Sequence, residues 1–287
     1  MKCRDDETGM ILVNVLMFVA IASAMVLLMI NREELALDRG LRMREASRAL
    51  AVARGGELSA LVALRRDALV AANVDHVREP WAALSESGAP IEGGTFDLAI
   101  GDAEGRFNVN SLRSGEAASL LTFQAIAEAA GLPRDQAEQA IALVRTMGPI
   151  TDLRPLRMAG FDPAVVARLQ PLVTALPGRT TINLNAAPEP LLAILFRDPL
   201  AARRLVAIRD RQGFLTSKDL ADAKLALPWG TSFRSSSFWV RTRATIGGTS
   251  QQTATLLRRV ATDRGVEVIP VERWRNAAVP PEVPGFR

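Results

Sequence analysis

Hydrophobic and polar positions divide the chain into sharply different segments. From Met10 to Ile30 the residues are apolar, interrupted only by Asn14 and Ser23. A run of that length spans a bilayer as a helix. It follows a polar leader that ends Glu7-Thr8-Gly9. A secretory signal is cut after its apolar run, at small residues. Here the natural cut precedes the run, between Gly9 and Met10, so the helix would be retained. From Asn31 to about Asn73 there is no proline, and Ala, Leu, Arg and Glu dominate. Leu35, Leu41, Ala46, Ala49, Leu50, Ala53, Leu58, Leu61, Val62 and Leu69 recur at helical spacing. The pattern predicts one long helix, with its first part in lipid and its second part, over 31–73, amphipathic and packed on a C-terminal domain. Gly55-Gly56 costs about 2 kcal/mol relative to alanines and is the expected kink.

Punctuation then changes. Residues 74–94 contain Pro80, Gly88, Pro90, Gly93 and Gly94 and read as a linker. Alternation predicts strands at Thr95–Ile100, Arg106–Asn110, Ser237–Ile246, Gln252–Thr262 and Val266–Arg273, forming one antiparallel sheet with a wet face. Between them, from about Gly115 to Lys224, the pattern is helical. The expected organisation is a leader at 1–9, a transmembrane helix at 10–30, its extension to 73, an α/β domain from 74–110 and 237–275, and a helical insertion at 111–236. The tail at 276–287 holds Pro280, Pro281 and Pro284 and is expected to be disordered.

The insertion repeats itself. Phe107-Asn108-Val109-Asn110 opens one copy and Ile182-Asn183-Leu184-Asn185 the other; each is followed by a helix, a proline, a second helix ending near glycine, and Asp-Leu. Asn108, Asn110, Asn183 and Asn185 are read as structural caps. The second of each pair, Asn110 or Asn185, is expected to cap the helix that follows. Leu156–Phe161 with Pro163–Arg168 looks like a helix-hairpin-helix around Gly160, a motif that offers backbone amides to DNA phosphate. The corresponding turn at Phe196-Arg197-Asp198-Pro199 lacks the glycine.

Composition narrows the chemistry. Net charge is +4, with the basic residues dispersed, which weighs against nucleic acid as the partner. The one cysteine, Cys3, lies in the leader, so the mature chain has no disulfide or cysteine metal site. The one histidine, His76, excludes histidine-pair chemistry. There is no glycine-rich phosphate loop and no nucleophile elbow, so no catalytic residue and no enzyme activity are expected.

Gly9-Met10 before an apolar helix resembles a prepilin peptidase site. Asp102–Asn110 and Thr181–Pro188 resemble the two hallmark segments of minor pseudopilin K of type II secretion systems, and Arg209–Leu220 and Ser236–Phe238 also fit. The resemblance spans nearly the whole chain. It implies an α+β fold: a long N-terminal transmembrane and stalk helix packed on a small antiparallel sheet, with a large helical insertion of the helix-hairpin-helix or SAM type. It implies an inner-membrane, single-pass protein with its C-terminal domain in the periplasm. It would be processed at Gly9 and Met10 by the prepilin peptidase, methylated, and would cap the pseudopilus tip with minor pseudopilins I and J. Asn14 falls at mature position five, where most pilins carry a glutamate; this family lacks it, so Asn14 is read as an assembly determinant.

Three features pull the other way. Asp5, Asp6 and Glu7 make the leader acidic where a basic one is usual. Lys2 and Arg4 are outnumbered by Arg32, Arg39, Arg42, Arg44 and Arg48, a count that would leave the C-terminal part in the cytoplasm. Some relatives bind calcium, but their Asp-Trp loop is absent, and the densest acidic spots are Asp97, Asp102 and Glu104. No cofactor is therefore expected, with calcium the one possible ion. The rival reading is a membrane-tethered helix-hairpin-helix DNA-binding protein of a competence-like system.

Overall fold

A computed structural model describes residues 5–70, 73–263, 265–275 and 279–286, with side chains from Leu12 onward. A single helix, α1 (Asp5–Val70), opens the chain. It runs through Gly55 and Gly56 without a break in its helical assignment. Residues 12–44 of α1 are exposed throughout. At 1.5 Å per residue they make a free rod of about 50 Å. Docking begins at Glu45, and the first buried residue is Ala49.

The sheet has five antiparallel strands in the order β1-β2-β7-β8-β9. These are β1 (Glu86–Ile91), β2 (Gly94–Asp102), β7 (Ser237–Ile246), β8 (Thr249–Thr262) and β9 (Gly265–Arg275). The segment read as a linker thus contributes an edge strand, β1, in a hairpin with β2 closed at Gly93 (φ 79°). Along β7, Phe238, Val240, Thr242 and Ala244 face α1, while Trp239, Arg241 and Arg243 face away. Most of β7 is buried on both faces, because α1 covers one and later segments cover the other.

The helix face that meets the sheet is not the leucine stripe. Ala49, Ala53, Gly56, Ala60 and Leu64 are buried there, whereas Leu35, Leu41, Leu58, Val62 and Leu69 are exposed. Small residues let the backbone come close. A Cβ on Gly56 would lie 2.5 Å from Phe96 Cζ and 3.1 Å from Thr242 Cγ2. The expected kink is therefore a close-approach point. Three acidic side chains pin the helix: Glu45 accepts from Thr249 Oγ1 (2.9 Å), Glu57 from Thr255 Oγ1 (2.7 Å) and Arg273 Nη2 (2.7 Å), and Asp67 from Arg259 Nη2 (2.6 Å).

Between β2 and β7 lies the insertion, with its own core of buried residues from Phe107 to Leu220. Its first copy comprises β3 (Phe107–Asn108), a 3-10 turn, α2 (Ala117–Ala129), α3 (Arg134–Met147), α4 (Arg154–Met158), α5 (Pro163–Leu169) and β4 (Val173–Thr174). The second comprises β5 (Ile182–Asn183), α6 (Glu189–Phe196), α7 (Pro199–Gln212), α8 (Ser217–Asp222) and β6 (Thr231–Ser232). In each copy the opening and closing strands pair in parallel, β3 with β4 and β5 with β6. Phe107–Asn110 therefore belongs to the insertion rather than to the main sheet. The hairpin at Gly160 (φ 89°) is packed as a turn: Phe161 is buried and Asp162 caps α5 through Ala164 N (2.8 Å).

The tail is not disordered over 279–286; residues 276–278 and 287 lie outside the described part. Val283 is buried with Trp239 and Leu256 on the sheet face opposite α1. Pro284 lies against Gly101, and the Phe286 ring is covered by both Arg241 (4.5 Å) and Arg243 (4.6 Å). Prolines stiffen this strap at low entropic cost, and the guanidinium pair holds its end.

Candidate assembly site

An assembly protein acts through its surfaces and through the junctions that hold them rigid. The first such surface is α1. Its apolar N-terminal part is long and apolar enough to cross a membrane, with mean hydropathy 2.6 and none of it buried in the chain. Gly9 and Met10 lie in the helical backbone, their side chains outside the described part. Asn14 is exposed on the free rod. A partner for exposed Asn14 would come from outside this chain.

The docked half of α1 has a second face. Leu37, Leu41, Ala51, Gly55, Leu58, Val62 and Leu69 are all exposed. They fall at alternating steps of three and four, with Arg44, Arg48 and Arg65 in the remaining places of the series. At 100° per residue they lie roughly opposite Ala49, Ala53, Gly56 and Ala60. A period of 3.5 is that of a helix seam meeting another helix. The leucines that sequence spacing assigned to the sheet belong to this seam.

The four asparagines build the insertion rather than an exposed site. Each first asparagine caps its own turn: Asn108 Oδ1 accepts from Asn110 N (3.1 Å), and Asn183 Oδ1 from Asn185 N (2.9 Å). The second asparagines do not cap the next helix. Asn110 Oδ1 accepts from Ile150 N (2.9 Å) and its Nδ2 donates to Ile150 O (2.8 Å). Asn185 Oδ1 accepts from Leu215 N (2.6 Å) and its Nδ2 donates to Leu215 O (3.2 Å). An amide side chain has the donor and acceptor of a peptide group, so each replaces a neighbouring strand for one residue. The duplication therefore extends to individual hydrogen bonds.

A buried ionic junction joins all three parts, and sequence reading missed it. Arg259, on β8, bonds Asp67 Oδ2 on α1 and Asp75 Oδ1 in the loop after it, donates to Leu64 O (3.2 Å), and lies 4.5 Å over the Phe238 ring. Asp75 Oδ2 accepts from Ser235 N (2.8 Å). Asp102 Oδ2 accepts from Asn183 Nδ2 (2.7 Å) and Ser235 Oγ (2.7 Å), tying the second repeat to β2. Glu79 accepts from Trp81 Nε1 (2.8 Å) and His76 N (2.8 Å). Burial pushes the Glu79 and Asp102 carboxyls each up to about 7, and it raises Asp67 and Glu104 as well. His76 stacks on Phe214 of the second repeat (4.7 Å, 8°), and burial lowers its pKa. The one sequence signal was an arginine at an inward position of an alternating strand, between Leu257 and Ala261.

The acidic residues do not make a convincing calcium site. Asp97 and Asp102 are an odd number of residues apart on β2 and face opposite sides; Asp97 pairs with Arg243 (2.8 Å), whose hydrogen bond holds its carboxyl below the usual range. Asp67, Asp75 and Glu79 do converge, with ligand oxygens within 4.8 Å of one another. The Arg259 guanidinium already supplies the positive charge there, so these residues do not fit a resident metal.

A sequence model of the family described as type II secretion system protein K matches residues 182–232, the span from β5 to β6. A type II secretion system protein K of Pseudomonas aeruginosa is 28% identical over 257 residues, covering 75% of this chain and 76% of its own. A chain of the crystal structure of the GspK–GspI–GspJ complex from the type 2 secretion system of enterotoxigenic Escherichia coli superposes with a TM-score of 0.61 at 19% identity. That match covers 84% of this chain and all of the other. In motif order, in matched sequence and in fold, the chain is similar to the protein K family of type II secretion systems.

Proposed function

We propose that this protein is the minor pseudopilin that caps the tip of a type II secretion pseudopilus, assembling there with minor pseudopilins I and J. The observation that carries the reading is the two-faced helix α1. One face is welded to the sheet by Ala49, Ala53, Gly56 and Ala60, and the opposite face, from Leu37 to Leu69, is left open at coiled-coil spacing. Partner helices fit that seam as they would in a bundle. The insertion, standing on the same rigid junction, gives the tip its bulk and obstructs addition of a subunit above it.

The precursor inserts in the inner membrane, the prepilin peptidase cuts between Gly9 and Met10, and the new amino terminus is methylated. Asn14 has no carboxylate to offer a neighbour's amino terminus, so no subunit need sit beneath it in that manner. The C-terminal part lies in the periplasm. The arginines after Ile30 do not oppose this, because a following domain of this length translocates largely regardless of charge. Co-expression with the peptidase and N-terminal mass spectrometry tests the processing; a mature chain starting anywhere but Met10 refutes it. Leu58→Arg with Val62→Arg tests the seam. Both residues are exposed, so the chain should fold, yet co-purification with pseudopilins I and J should be lost. Recovery of the complex at wild-type yield would refute the seam.

A further inference from the structure

The seam on α1 makes no use of the helical insertion's own surface, yet the insertion carries a wide cleft. It is about 640 Å³, within the range of ligand-binding clefts, and lies between α2 and the end of α6. Its walls are mainly apolar: Leu121 and Ala125 from α2, Ile194 and Leu195 from α6, and Trp229 from the loop before β6. Trp229 is 77% exposed and Leu121 59%. Large side chains left open in this way at a concave site mark a recognition surface.

The polar groups choose the occupant. Glu116, at one end, is paired with Arg179. Arg197, at the other, has no carboxylate partner among the described residues. Its backbone is set by the left-handed turn that ends α6 (φ 52°), and its side chain is exposed. The adjacent Asp198 is committed to capping α7, accepting from Leu200 N (2.8 Å) and Ala201 N (3.1 Å). The cleft therefore presents one uncompensated cation. A narrower recess continues from it through Glu116, Ala118, Thr122 and Trp229 to Thr180, whose Oγ1 is buried with no hydrogen-bond partner.

We infer that this cleft binds a segment of another protein that presents apolar side chains followed by a carboxylate. The apolar side chains cover Trp229 and Leu121, and the carboxylate meets Arg197. The site is read from the insertion alone, so it stands or falls independently of the tip assignment.

The full chain in lipid nanodiscs would be titrated with fluorescein-labelled Leu-Phe-Ala-Leu-Asp, bearing a free carboxyl terminus, and with Leu-Phe-Ala-Leu-Lys amide. Anisotropy would report binding and Trp229 emission its burial. The acidic peptide should bind at least about tenfold more tightly, because the lysine amide sets like charge against Arg197. Arg197→Glu should invert the order, and Leu121→Arg should abolish binding of both. Equal affinity of the two peptides for the wild-type chain would overturn the inference, as would no binding or binding that survives Leu121→Arg. Concentration-dependent burial of Trp229 without peptide would overturn it too, since the occupant would then be a second copy. The comparison of two peptides on the unaltered protein needs no variant to fold.

Discussion

Replacing Arg259 by Met should be the most disruptive single change in the junction, and its cost should depend on pH. The methionine keeps the buried stem and its contact with Phe238 but removes the charge. Asp67 and Asp75 then face each other in a buried site with no cation. Stripping one partner from a buried ion pair costs about 3–5 kcal/mol. The lost bond to Leu64 O adds about 1 kcal/mol. Part of this is recovered when Asp67 protonates. Asp67 is already raised above its ordinary value with Arg259 present, and removing the cation raises it further. A carboxyl whose folded pKa exceeds its unfolded one gives stability that is complete below the unfolded value and lost as pH rises through the folded one. The deficit of Arg259→Met should therefore be smallest near pH 4, about the unfolded value, and grow as pH rises to 8. Urea unfolding of the full chain in detergent, followed by near-ultraviolet circular dichroism at both pH values, measures it. A deficit below about 1 kcal/mol at pH 8 would refute the reasoning, as would one of equal size at both. Asp67→Asn and Asp75→Asn in the Met background should each recover stability.

Adjacent glycines should respond with opposite sign: Gly55→Ala, with nothing within 4 Å, should stabilise by about 1 kcal/mol, whereas Gly56→Ala, 2.5 Å from Phe96 Cζ, should destabilise by about the same net amount in the same unfolding assay. In the wild-type chain Asp102, raised from 3.8 to about 7, should make stability fall as pH rises from about 4 to about 7, by at most roughly 4 kcal/mol; Asp102→Asn should flatten that part of the profile. Asn185→Ala leaves both backbone groups of Leu215 without partners and should cost about 2–4 kcal/mol, read as loss of exchange protection at Leu215 amide. Phe286→Ala should raise proteolysis after residue 279 while moving the unfolding midpoint little, since the half-buried ring is held by Arg241 and Arg243 near the end of the chain.

What sequence spacing could reveal here was local. The alternation of β7 follows from side chains within a few residues, and there the expected and observed spans, Ser237–Ile246, coincide. The docking face of α1 was half legible: the stripe included Ala49 and Ala53, which do meet the sheet, but hydrophobic periodicity rewards bulk and joined them to Leu41, Leu58, Val62 and Leu69. Contact with the sheet also needed Gly56 and Ala60, whose value lies in closeness, and left those large side chains free. Asn110 and Asn185 looked like caps because capping is the commonest local use of asparagine; their real partners lie 40 and 30 residues away. The tail looked disordered from its prolines; tertiary contacts order it, the burial of Val283 against Trp239 and Leu256 and the pairing of Phe286 with two arginines on β7. In the junction, Asp67, Asp75, Asp102 and Arg259 are scattered over most of the chain, so no window of sequence contains them together. The duplication in the insertion was visible, and the hydrogen bonds around the two asparagine pairs repeat it.

The placement of the insertion between β2 and β7 also sets the order in which the protein can be made. β2 is complete at Asp102, but its central partner does not begin until Ser237. During synthesis or export, the β1–β2 hairpin must wait with one edge unpaired, and α1 waits with no sheet to lie against. Closing so long a loop as free chain would be slow. The insertion has its own core and its own short parallel strand pairs, so it can fold as soon as it emerges, bringing residues 103 and 236 together before β7 exists. In kinetic terms it is a splint: a variant that weakens the insertion should delay the sheet, and the exposed edge of β2 is where an arrested chain would aggregate.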